Sequence, residues 1–135
     1  MRLKRTTALF LSSILLLCFG LFSASAMTSD ILQPKATYIQ TTDANINVGA
    51  LSTTVKGRVS GITTVTSIRI RLELQKKTGT TYSTIKTWEE TFDSNEAVKT
   101  ESKLTSPLST YRLKATFTVY TSSSSETKTV YAYDS

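Results

Sequence analysis

Ile68-Arg69-Ile70-Arg71-Leu72-Glu73-Leu74-Gln75 carries the clearest structural pattern in the chain. Every second residue is aliphatic and the residues between are charged or polar. In an extended chain a period of two puts the four aliphatic side chains on one face and the polar ones on the other. That is a strand with one side buried. The pattern returns at Tyr111, Leu113, Ala115, Phe117 and Val119, alternating with Arg112, Lys114, Thr116, Thr118 and Tyr120. Set side by side and antiparallel, the two segments bury Ile68, Ile70, Leu72 and Leu74 with Leu113, Ala115, Phe117 and Val119. A large aliphatic or aromatic side chain is worth about 1.5–3 kcal/mol when fully buried. Eight such positions outweigh any pairing on the surface.

Working outward, the rest of the chain after residue 26 also reads as strands. Thr and Ser make up 37 of those 109 residues, and β-branched side chains favour pleated surfaces over helices. Strands are expected over 35–42, 51–60, 65–77, 82–92, 97–105, 110–120 and 126–133. No segment of ten residues shows helical periodicity. Gly79 in Lys77-Thr78-Gly79-Thr80 supplies the positive φ of a tight turn, making 65–77 and 82–92 a hairpin. Within the second arm, strict alternation sends Ile85 and Trp88 to opposite faces, so a bulge lies between them or Trp88 faces outward. As the sole Trp it is either a stacking platform for sugar or the large core residue; a disulfide-free core favours the second. Seven short strands with turn signals between them fit an antiparallel sandwich of immunoglobulin type. A closed barrel is the competing architecture. The polar strand 97–105 and the Thr-rich strand 35–42 are the expected edges.

The first 26 residues are read as an address. Arg2, Lys4 and Arg5 precede an apolar run from Ala8 to Phe22, and Ala24-Ser25-Ala26 offers small residues for cleavage before Met27. The run is shorter than the roughly 20 residues of a spanning helix. Residues 1–26 are therefore expected to be a signal peptide, 27–34 a flexible mature N-terminus, and 35–135 the domain. The expected destination is extracellular, with loose cell-wall association as a variant of it. Membrane contact is expected only through the signal peptide before cleavage. The mature chain carries 13 Lys+Arg against 10 Asp+Glu, a charge of +3, which gives no reason to expect nucleic acid. It has neither cysteine nor an N-x-S/T sequon, and both absences lean towards a bacterial exporter.

The chain contains no His. Imidazole acid–base chemistry, Ser-His-Asp and Cys-His nucleophiles and His-ligated metals are excluded. Carboxylates are left. Glu89 and Glu90 are adjacent, so a strand sends them to opposite faces, and a small sandwich gives paired acids no cleft. Glu90, Asp93 and Glu96 have no Asp-x-Asp spacing and meet only if a loop gathers them. The expectation is a non-catalytic protein with no cofactor and no metal.

The surface with most to offer is the outer face of strands 65–77, 110–120 and 126–133. Alternation places Arg69, Arg71 and Glu73 there from the first, Arg112, Lys114 and Tyr120 from the second, and Tyr131 and Tyr133 from the third. Guanidinium forks suit anions and tyrosines stack on sugar rings, which fits an anionic wall polymer, a glycan or another surface protein. The plainer reading is a wet sheet face whose long cations lie over tyrosine rings. Self-association through edge strands is the alternative function.

Val55-Lys56-Gly57-Arg58-Val59-Ser60-Gly61, Leu74-Gln75-Lys76-Lys77-Thr78-Gly79 with Trp88, and Tyr111-Arg112-Leu113-Lys114-Ala115 together carry a resemblance. Over residues 50–133 the chain resembles small secreted proteins of Gram-positive, clostridial-type bacteria. The resemblance implies a signal peptide followed by one immunoglobulin-like β-sandwich, and it implies no activity and no catalytic residue.

Overall fold

The computed structural model of the protein describes residues 37–134. The expected signal peptide 1–26, the stretch 27–34, residues 35–36 of the first expected strand, and Ser135 lie outside the described residues. Seven strands follow in order: β1 (Ile39–Val48), β2 (Ser52–Gly61), β3 (Ser67–Thr78), β4 (Thr81–Phe92), β5 (Glu96–Leu104), β6 (Tyr111–Tyr120) and β7 (Ser125–Tyr133). They form two antiparallel sheets, β1-β2-β5 and β4-β3-β6-β7. No ladder joins the two sheets among the described residues, so the architecture is an all-β sandwich and the barrel alternative is set aside. The seven strands divide three to four between the sheets, and β3 and β6 are central in the larger one.

The two alternating segments lie together at the centre. β3 pairs with β6 in the register Ile68↔Val119, Ile70↔Phe117, Leu72↔Ala115 and Leu74↔Leu113. All eight side chains are fully buried. The opposite sheet contributes Val55 and Val59 from β2, Ile46 from β1 and Ala97 from β5. Gly57 lies between those two valines because Leu72 and Phe117 press on it from across the core. A Cβ there would stand 2.8 Å from Leu72 Cδ2 and 3.2 Å from the Phe117 ring. A glycine inside a strand often marks such a close approach.

Three expectations need correction or completion. The first strand runs over Ile39–Val48, well past the expected end at 42, and forms a hairpin with β2 through the turn at Gly49. Asp43, Asn45 and Asn47 are poor strand formers, but they face water while Ala44, Ile46 and Val48 face the core. The Ile85/Trp88 conflict is resolved by a bulge. Leu74 pairs with Lys86 and Gln75 with Thr84, which leaves Ile85 as the extra residue. Beyond it Trp88 stands opposite Leu72, half-buried against the core rather than enclosed by it. The edges include β1 and β5 as expected, with β4 and β7 as the edges of the larger sheet.

Both open sides of the sandwich are closed by polar contacts. On one, Glu126 Oε2 accepts the backbone N–H groups of Thr37, Tyr38 and Ile39 at 3.2, 2.6 and 3.1 Å. On the other, Lys99 Nζ of β5 donates to Glu101 at 2.9 Å and to Glu90 of β4 at 3.2 Å. Glu90 is thereby committed to an inter-sheet ion pair, while Glu89 points to the opposite face, as strand alternation requires.

Candidate contact surface

The outer face of the four-stranded sheet carries the residues singled out from the sequence. β3, β6 and β7 are neighbours, so Arg69 and Arg71, Arg112, Lys114 and Tyr120, and Tyr131 and Tyr133 all project from one side. They do not form one patch. Arg112 and Tyr120 are eight residues apart on β6, about 26 Å at 3.3 Å per residue, and the ground between them is occupied by Thr116 and Thr118. At one end the Arg69 guanidinium lies 5.9 Å from the Tyr120 ring, near the outer limit of a cation–π contact. At the other end Arg112, Lys114, Tyr131 and Tyr133 gather.

Arg71 sits between the two groups and is largely neutralised. Its guanidinium is 3.8 Å from Glu73 and 3.9 Å from Glu89. Both are long; the pair with Glu89 is open to solvent on both sides and is of the kind worth about 0–1 kcal/mol, whereas the Glu73 side chain is largely covered. They contribute little stability, yet they cancel the field an incoming anion would meet.

The second group is organised around Arg112. Its guanidinium lies 4.1 Å from the Tyr82 ring centroid and 4.6 Å from that of Tyr131, and its Nε–H donates to Gln75 Oε1 at 2.6 Å. Gln75 is buried and in turn donates to Thr84 Oγ1 at 3.1 Å, whose hydroxyl donates to Glu73 at 3.4 Å. Tyr133 meets Tyr82 edge to face, with centroids 6.3 Å apart. The register explains the assembly, since Arg112 lies opposite both Gln75 and Tyr133, and Lys114 opposite both Glu73 and Tyr131. Arg112 therefore acts here as the filling between rings rather than as a fork presented to anions. The Lys114 ammonium makes no hydrogen bond or ion pair with any described residue.

Tyr82 was missing from the expected surface, although its place was readable. The Gly79 turn, with φ of +65°, pairs Thr78 with Thr81 and hence Lys77 with Tyr82. Lys77 shares a face with Arg69 and Arg71, so Tyr82 does too. Gln75 and Thr84 were missed because they belong to a hydrogen-bonded chain across three strands, which alternation alone does not reveal.

The cluster thus gathers three tyrosines, with one cation held between two of the rings and a second cation on the strand position beside them. Tyr131 and Tyr133 leave 43% and 59% of their surface open. Among the described residues no three His, Cys, Asp or Glu side chains converge as metal ligands do. No family model, curated protein or solved structure matches this chain.

Proposed function

We propose that the chain is an exported, non-catalytic immunoglobulin-like module that works by surface contact, with a cell-wall glycan as its ligand. The observation that carries this reading is the Tyr82–Arg112–Tyr131 stack with Tyr133 at its rim. Rings fixed by their neighbours lose little side-chain freedom when a sugar stacks on them, so their apolar faces favour binding at low entropic cost. Lys114 supplies an ammonium for a carboxylate or phosphate on the polymer. The export address expected in residues 1–26 supports this reading, as does the resemblance to small secreted bacterial proteins.

The test is binding of the chain from residue 27 onward, which contains the whole described core, to purified Gram-positive cell wall. A Tyr131→Ala/Tyr133→Ala variant is expected to lose most of the binding, and Lys114→Ala to lose part of it together with its salt sensitivity. A Tyr120→Ala control at the far end of the face is expected to bind as the parent does. Equal binding by the parent and the tyrosine double variant refutes the reading.

A further inference from the structure

Three bare aliphatic side chains lie at the end of the sandwich where β5 finishes and β6 begins. Leu51, Leu104 and Leu108 are 78%, 80% and 95% exposed. Leu51 lies in the turn between β1 and β2, and its carbonyl accepts the N–H of Thr105 at 3.1 Å. Leu104 ends β5 opposite Ser52, the residue next to Leu51. Leu108 follows Pro107 in the loop that leads to Thr110, whose carbonyl accepts the N–H of Lys77 at 2.8 Å. The strand ends and loops on this side also carry Lys76, Lys77 and Lys103, with Asp134 the one acid placed there among the described residues. Asp93, Glu96 and Glu126 sit at the opposite end. Leucines from one strand end and two loops thus lie at an end rimmed by ammonium groups.

We propose that this end docks on an anionic lipid surface, with the three leucines entering the headgroup boundary and the lysines resting on the charged headgroups. The charge pattern selects this occupant. Lysines close to an anionic leaflet are attracted to it, and aliphatic side chains at the same tip gain by leaving water. A second copy of the chain fits less well. A stable protein interface buries roughly 1,200 Å² or more in total, which three leucine side chains do not approach, and two copies would oppose lysine to lysine. A bilayer demands no complementary shape. The contact proposed is peripheral, made by side chains at the tip of the sandwich. It is separate from the membrane contact expected of residues 1–26.

Co-sedimentation of the chain from residue 27 with vesicles of equal phosphatidylglycerol and phosphatidylcholine tests the proposal. Partition onto these vesicles is expected, with little onto pure phosphatidylcholine. Leu104→Ser/Leu108→Ser should lower it by about tenfold or more, and Lys76→Ala/Lys77→Ala by roughly tenfold. Both side-chain pairs are exposed, so the thermal unfolding of each variant should match the parent and exclude misfolding as the cause. The proposal is overturned if the parent does not bind, if the leucine variant binds as well as the parent, or if neutral vesicles serve equally. A concentration-dependent dimer that the leucine variant dissolves overturns it too, and assigns this end to a second copy.

Discussion

Glu126, near the start of β7, holds the backbone N–H of Tyr38 at 2.6 Å across 88 positions of sequence. The same oxygen takes the amides of Thr37 and Ile39, so one carboxylate fixes the entry of β1 onto the opposite sheet. Hydrogen bonds to a charged group contribute about 1.5–3 kcal/mol, and the partners share that gain when one oxygen serves them all. Glu126→Ala is expected to cost about 2 kcal/mol in urea unfolding. Glu126→Gln, which keeps an acceptor and loses the charge, should cost about half as much. Amide exchange at Tyr38 and Ile39 should quicken in both variants, while that of Leu72 and Phe117 follows global stability only.

Gly57 and Gly79 are glycines for opposite reasons, and alanine at each separates them. At Gly57 a Cβ meets Leu72 at 2.8 Å inside a closed core, so Gly57→Ala should lose about 1–3 kcal/mol to overpacking. At Gly79 nothing lies within 4 Å, but φ is +65°. Gly79→Ala should lose only about 1–2 kcal/mol, the cost of left-handed backbone for an L-residue. Gly79→Asn should recover part of that loss, and no asparagine should rescue Gly57. Denaturant midpoints of the four variants measure this.

Burial by itself lowers the pKa of the Lys99 ammonium, but the hydrogen bonds and charges of Glu101 and Glu90 outweigh it and leave the pKa above the ordinary 10.5. The folded chain therefore holds this proton more tightly than the unfolded chain does. The stabilisation is fully present below pH 10.5 and fades as pH rises through the raised folded-state value. Lys99→Met, which keeps the length and the apolar stem, should cost about 1 kcal/mol near neutral pH. The gap between parent and variant should close in strongly alkaline solution. A gap that widens there would reverse the sign of this argument.

Arg112→Lys keeps the charge but removes the planar group between Tyr82 and Tyr131 and its donation to Gln75. Two cation–π contacts at about 0.5–1 kcal/mol each and one hydrogen bond near 1 kcal/mol are at stake. The variant should be destabilised by about 1–2 kcal/mol, part of which lysine regains through its own cation–π contact. Chemical shifts of Tyr82 and Tyr131 should move while those of Tyr120 stay fixed.

The central pair β3 and β6 was legible because eight aliphatic or aromatic residues at a period of two leave one arrangement that buries them all. Its register then brought the expected cations and tyrosines to one face. What alternation did not show is how those side chains use one another. Arg71 lies between two carboxylates, one of them on β4, and Arg112 sits between rings from β4 and β7, so the surface divides into two groups. Apart from the Arg71–Glu73 pair within β3, these are contacts across strands, set by rotamers and by the bulge at Ile85. The second half of β1 was hidden by Asp and Asn, whose turn preference is overridden once Ala44, Ile46 and Val48 find the core.

The inward row of β5 holds a last consequence. Ala97, Lys99, Glu101 and Lys103 stand opposite Val59, Gly57, Val55 and Thr53, so three of the four positions that would meet an added layer are ionised. A foreign strand templating on this border would have to strip water from those groups or break Lys99 from both its carboxylates, a penalty that the ladder bonds it gains would not offset. In a chain so rich in β-branched residues, that charged margin opposes the addition of a further strand at β5.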